Sequence, residues 1–222
     1  MKHIYICGDS FATPDPEYGT MWAELLQHKL GTDYRIVNHS SVAASNLLVA
    51  VQVDNAIKNH ADFVIVLATA CTRNEALVLP ATDQALMDRF NRQELVSNSI
   101  YRPYRSQLNT QDQATIYQFH LQYADLELNI FRDHCILLGA LYRLTHSATP
   151  FLFDQGGFEH PGFGGQRKYF EEFVTQRTEL NVWDYGTTEQ DRPHYHILRP
   201  EDHVRIAEYY CKQITDYFDE YP

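Results

Sequence analysis

The chain has 222 residues, 44% hydrophobic and 21% charged, the balance of a soluble globular protein with room for one sizeable core. A formal net charge of −11 argues against binding nucleic acid through its phosphates, which draws on clustered Lys and Arg. No apolar run approaches the roughly 18–20 residues that span a bilayer, and Met1-Lys2-His3 leads into a strand pattern rather than a signal-peptide core, so a cytoplasmic protein without a membrane span is expected.

In chain order, Lys2-His3-Ile4-Tyr5-Ile6-Cys7 reads as a first strand. Thr20 to Leu30 places Met21, Trp22, Leu25, Leu26 and Leu30 at helical spacing, and Gly31 stops the helix. Tyr34 to Asn38 reads as a second strand. Ser45 or Asn46 caps a helix to Lys58 in which Leu47, Leu48, Val51 and Ile57 share a face. Asp62 to Thr69 is a continuous apolar run, which predicts a central strand buried on both faces. From Ala76 to about Gln113 polar residues dominate, including Tyr101-Arg102-Pro103-Tyr104-Arg105, and an insertion or lid is expected. Helical spacing resumes through Ile116, Phe119, Tyr123, Ile130, Leu137 and Leu141. Pro150-Phe151-Leu152-Phe153 is the next strand, Gln155 to Gly165 a Gly-rich loop, and Gln166 to about Arg177 a short helix. Pro200 suits the first turn of a last helix with Val204, Ala207, Cys211, Ile214 and Phe218 on its buried face. This alternation predicts an α/β fold in one domain, residues 1–222, with a mainly parallel sheet covered on both faces.

Gly8-Asp9-Ser10 follows the first strand directly, and Asp191-Arg192-Pro193-His194 precedes the last helix. Open α/β sheets bind ligands in the crevice outside the carboxyl ends of their strands, so a serine there is placed to be a nucleophile. Acyl transfer by serine needs a neutral imidazole to take and return the proton, and a carboxylate to fix the imidazole tautomer. Ser10, His194 and Asp191 supply those groups. Gly8 relieves crowding at the turn, and the Ser10 N–H can meet a developing oxyanion. Asp9 is too near Ser10 in sequence to orient a distant histidine and is read as fixing the loop. The tripeptide also suits an ordinary turn; its strand-end position and distant partners favour the nucleophile.

These blocks resemble the SGNH, or GDSL-type, hydrolases. Gly8-Asp9-Ser10-Phe11 at the first strand, Asn74 beyond the central strand and the late Asp/His pair follow that family's block order over most of the chain. The resemblance implies a flavodoxin-like three-layer α/β/α sandwich. It implies an esterase acting on an acyl or acetyl ester of a small molecule or carbohydrate, with no cofactor. It also implies Ser10 as nucleophile, and the Ser10 N–H, the Ala43 N–H and the Asn74 amide as oxyanion hole. Within Ser41-Val42-Ala43-Ala44-Ser45-Asn46, Ala43 stands where the family has glycine; the N–H is kept and a methyl is added. Thr72-Arg73-Asn74-Glu75 stands where the family reads Gly-x-Asn-Asp. In an alternative use of this loop, Arg73 faces substrate and Glu75 holds it, with Thr69 nearby. His196, seven residues before His203, is the alternative base; its distance to the last helix favours it, while the Asp-x-x-His spacing favours His194. A non-enzymatic alternative is a degenerate SGNH fold that binds a glycan or a protein partner, in keeping with the two replaced glycines.

His194, His196 and His203 together suit zinc only with a fourth ligand and an orienting shell, and no metal is expected. His203 is read as structural. Cys7, Cys71, Cys135 and Cys211 are dispersed without CxxC spacing and read as buried, reduced thiols.

Overall fold

The computed structural model describes residues 1–13, 21–42, 44–71, 73–76, 96–99, 126–159, 170–189 and 192–221. Its elements are β1 (Lys2–Cys7), α1 (Trp22–Leu30), β2 (Tyr34–Asn38), α2 (Asn46–Lys58), β3 (Phe63–Leu67), β4 (Arg73–Ala76), β5 (Val96–Ser99), α3 (Leu126–His146), β6 (Phe151–Asp154), the short α4 (Gly156–Glu159), β7 (Thr187–Glu189), β8 (Arg192–His196) and α5 (Pro200–Glu220). The order β2-β1-β3-β6 makes a four-stranded sheet, parallel throughout, with Ile4 opposite both Ile36 and Phe63, and Val64 opposite Phe151. The antiparallel pairs β4–β5 and β7–β8 stand outside it.

Strand alternation divides the core into two layers. Ile4 and Ile6 of β1 and Phe63, Ile65 and Leu67 of β3 face α1 and α5, packing with Trp22, Leu26, Ile206, Tyr210 and Ile214. Tyr5, Cys7, Val64, Val66, Phe151 and Phe153 face α2 and α3, packing with Leu48, Val49, Val53, Leu137, Leu141 and Leu144. Every residue of β3 is buried, as its unbroken apolar run predicts, and β3 lies between β1 and β6. The result is a three-layer α/β/α sandwich.

Local chemistry sets the element ends. Ser45 caps α2 by accepting the Leu48 N–H at 3.3 Å. Pro200 opens the first turn of α5, where its missing N–H costs nothing. On β2, the Gln27 side chain accepts the Ile36 N–H at 2.7 Å and donates to the Tyr34 carbonyl at 3.1 Å. Beyond β6, Gly156 adopts φ +49, and a Cβ there would lie 2.0 Å from the Ala68 carbonyl oxygen; glycine lets this turn close on the loop after β3.

Several expectations are corrected. Residues 170–177 form no helix: Phe170 takes a left-handed conformation, Glu171–Phe173 is a single 3-10 turn, and Arg177 bridges in parallel to Phe153. The Phe153 N–H donates to the Gln176 carbonyl and the Thr178 N–H to the Phe153 carbonyl, so the outer edge of β6 captures this stretch. The run from Gln155 includes one helical turn, α4. Ala68 and Thr69 lie past the end of β3. The long helix is described from Leu126 onward, and Ile116, Phe119 and Tyr123 lie outside the described residues, as does most of the expected 76–113 insertion; of that stretch the structure describes Ala76 and β5. All four cysteines are free, but Cys135 is exposed on α3 and Cys211 is only partly buried. Among the described residues, no helix is long and apolar enough to cross a membrane.

Asp154, at the carboxyl end of β6, is fully buried. It accepts the Gly156 N–H at 2.8 Å, the Val182 N–H at 2.9 Å and the Tyr210 hydroxyl at 3.2 Å. Desolvation outweighs these bonds and pushes the carboxyl up to about 7. Unfolded, it titrates near about 3.9, so the native state holds the extra proton between those values. Its contribution to stability is therefore fully present below about pH 4 and lost as pH rises through about 7. Asp154→Asn cannot ionise and sets an amide against one of its N–H donors. The variant should be less stable than wild type, with a Tm gap larger at pH 5 than at pH 8; equal gaps in a thermal-melt series would contradict the assignment.

Candidate active site

The chain adds β2 on one side of β1 and then β3 and β6 on the other, so the order of the parallel strands reverses between β1 and β3, the switch point where open α/β sheets gather their ligands. Gly8 leaves β1 there. A Cβ on it would sit 2.9 Å from Leu67 Cβ, so the turn reaches its position only with glycine. Asp9 is 1% exposed; its carboxylate accepts the Phe11 N–H at 3.0 Å and the Thr69 hydroxyl at 2.9 Å. It fixes the loop, as expected, and ties the turn after β1 to the loop after β3.

Ser10 is half-buried at the head of this turn. Among the described residues, its N–H and Oγ have no hydrogen-bond partner, while its carbonyl oxygen lies 2.7 Å from His196 Nε2. A carbonyl only accepts, so Nε2 carries the hydrogen in this arrangement. His196 is 5% exposed and its Nδ1 lies 3.4 Å from the Ile197 carbonyl. Its ring stacks on Phe11 with centroids 5.0 Å apart, and Phe11 stacks on Trp183 at 4.4 Å. Such contacts add about 0.5–1.5 kcal/mol each beyond buried area for aromatic pairs, and here they hold the imidazole plane.

His203 is structural. Its Nδ1 accepts the Trp22 N–H at 3.3 Å, at the first turn of α1, and burial keeps its pKa below the usual histidine range, preserving the neutral acceptor. The Trp22 indole N–H in turn donates to the Phe11 carbonyl at 2.7 Å. One residue of α1 thus links the Ser10 turn to α5.

The structure brings Ser10 and His196 together. Arg73 and Asn74 lie in β4, Asn74 opposite Asn98 of β5, and His194 lies in β8; their side chains lie outside the described atoms, together with that of Glu75. Ala43 and Asp191 lie outside the described residues. Among the described residues, no group of three or more His, Cys, Asp or Glu side chains is arranged to hold a metal ion.

Sequence reasoning missed Gln52 and Asn46 of α2. Both are 0% exposed; Gln52 grips the Gly8 peptide and Asn46 the Thr69 peptide. The available signal was a glutamine beside Val53 on a helix face that is otherwise apolar.

No protein-family model and no curated protein matches the chain. Seven solved chains match. One of them, a crystal structure, covers 98% of this chain and 98% of its own at a TM-score of 0.51 and 12% identity. A likeness at that identity speaks to the fold alone.

Asp9→Ala leaves the buried Phe11 N–H and the Thr69 hydroxyl without their acceptor. The variant should lose at least about 1 kcal/mol of unfolding free energy in denaturant titrations; a change within error would show that the carboxylate does not hold the turn.

Proposed function

We propose that the chain is a serine esterase of the SGNH type, acting on a carboxylic ester. The observation that carries the proposal is the 2.7 Å approach of His196 Nε2 to Ser10 at the carboxyl end of a parallel strand. Ser10 Oγ attacks the acyl carbon while the imidazole takes its proton, and the Ser10 N–H, the Ala43 N–H and the Asn74 amide receive the oxyanion. Collapse expels the alcohol, which leaves with the proton from the imidazole. Water, deprotonated by the same imidazole, then cleaves the acyl-enzyme and frees the acid.

His196 is the base on this reading, and Asp191 orients it. The ring reaches Ser10 already, but it bonds the carbonyl. Catalysis needs the other tautomer, with Nδ1–H turned from the Ile197 carbonyl to the Asp191 carboxylate and a bare Nε2 shifted from the Ser10 carbonyl to the hydroxyl of the same residue. The bond to the carbonyl in place of Oγ favours a second reading, a catalytically degenerate SGNH-fold protein that binds a glycan or a protein partner.

A fluorophosphonate probe separates the two. Ser10 should label stoichiometrically and Ser10→Ala not at all, with loss of p-nitrophenyl acetate turnover and unchanged circular dichroism. A wild-type protein that neither labels nor turns over would favour the degenerate reading.

The histidines are assigned by exchanging each for alanine. His196→Ala should lower kcat by a factor of about 10³ or more, as expected for loss of the general base of a triad, and His194→Ala should remain substantially active. The reverse ranking would return the role to His194.

A further inference from the structure

Past Cys7 and Leu67 the strands end: Ala68 still bonds Asp154 and Gly157 and the Gly8 carbonyl still accepts the Ser41 N–H, but the Gly8 N–H and both polar groups of Thr69 lose their ladder partners. Two side-chain amides of α2 replace them. Gln52 Oε1 accepts the Gly8 N–H at 2.7 Å, while its Nε2 donates to the Gly8 carbonyl at 3.2 Å and to Ser41 Oγ at 3.4 Å. The orientation of the amide follows from its partners, since a peptide N–H can only donate. Asn46 repeats the pattern one loop over. Its Oδ1 accepts the Thr69 N–H at 2.9 Å, and its Nδ2 donates to the Thr69 carbonyl and to Asp133 Oδ2, both at 2.9 Å. Thr69 Oγ1 then donates to Asp9, which closes a ring of bonds running from α2 through both loops and back.

We propose that Gln52, with Asn46 as its counterpart, is a positioning residue for the Ser10 nucleophile, which extends the esterase reading and rests on it. Gly8 lies two residues before Ser10, so whatever fixes the two peptide planes on either side of its Cα sets the direction in which the Ser10 N–H and Oγ leave the turn. From α2, Gln52 bonds the N–H of one of these peptide groups and the C=O of the next. Asn46 and Asp133 hold the facing loop at the spacing the Asp9–Thr69 bond requires. Neither amide touches the site of acyl attack; both act through the backbone. A displacement near 1 Å at a reacting group costs about 10²-fold in rate, so loss of the grip should appear in the reactivity of Ser10.

Two variants and two readouts test this. Gln52→Leu removes the grip and should slow fluorophosphonate labelling of Ser10 by about 100-fold, lowering kcat with little change in KM. Gln52→Glu is isosteric. Protonated, the new carboxyl can offer the Gly8 peptide one donor and one acceptor, as the amide does; ionised, it sets an oxygen against the Gly8 carbonyl. Its labelling rate relative to wild type at the same pH should be near one at pH 5.5 and fall about 100-fold by pH 9. A role confined to folding would not tie that ratio to pH in a protein that stays folded. Labelling of folded Gln52→Leu within twofold of wild type would overturn the proposal. If that variant does not fold, a pH-independent ratio for Gln52→Glu overturns it instead. Hydrogen exchange at the Gly8 amide separates the levels: protection that survives Gln52→Leu refutes the grip itself. A protein whose Ser10 never labels refutes the esterase reading, and with it the positioning role, even where the exchange shows the grip intact.

Discussion

Everything at the candidate site depends on how the fold satisfies peptide groups where its parallel strands stop. Inside the sheet each N–H and C=O is paired by a neighbouring strand; one residue further the strands part, and a buried peptide must find another partner. Here the partners are carried on α2. Gln52 and Asn46 each present one donor and one acceptor to the backbone C=O and N–H of one residue, so a helix takes over hydrogen bonding that a strand would have supplied. The turn after β1 and the loop after β3 thereby become as rigid as the sheet that launches them.

A second constraint comes from the opposite layer and has a different character. The imidazole of His196 is held by ring faces, Trp183 on Phe11 on His196, beside its bond to the Ser10 carbonyl. Stacking fixes a plane but leaves sliding within it cheap, whereas the Gly8 peptide is held by hydrogen bonds that tolerate little rotation. The Ser10 turn and the histidine are thus held by different means. Trp22 couples them, bonding the Phe11 carbonyl with its indole and His203 with its backbone.

The layers of the fold were legible because burial imposes a period. The unbroken run through Phe63–Leu67 marks a strand covered on both sides, and the spacing in α1 marks its buried stripe; in α2 the buried face runs through Leu48, Val49, Val53 and Ala56 instead of Leu47, Val51 and Ile57, and in α5 Val204 is exposed while Ile206 and Tyr210 are buried. The stretch around Phe170, Phe173 and Arg177 misled for the same reason: its spacing fits a helix, but the Phe153 peptide captures it at the sheet edge, and no local pattern records an empty edge. The position of Ser10 just past the end of β1 was legible from the strand pattern before it. Gln52 and Asn46 were not, since which peptides lack a partner is a property of the assembled sheet. The choice between His194 and His196 turned on two sequence separations that disagreed. The assembled chain, in which His196 reaches the Ser10 carbonyl, weighs on the side of His196.

A third amide of the same kind sits far from the site. In β2 the odd-numbered backbone groups pair with β1, as the Lys2 N–H to Asp33 carbonyl and His39 N–H to Ile6 carbonyl bonds show, which turns Tyr34 and Ile36 outward. Gln27 occupies the Tyr34 carbonyl and the Ile36 N–H. Those are the groups an incoming extended segment from another molecule would use to lengthen the sheet. Gln27 thus makes the border of the sheet a poor template for growth, and it adds to the charge of Arg35 on the same strand in resisting edge-to-edge self-association there.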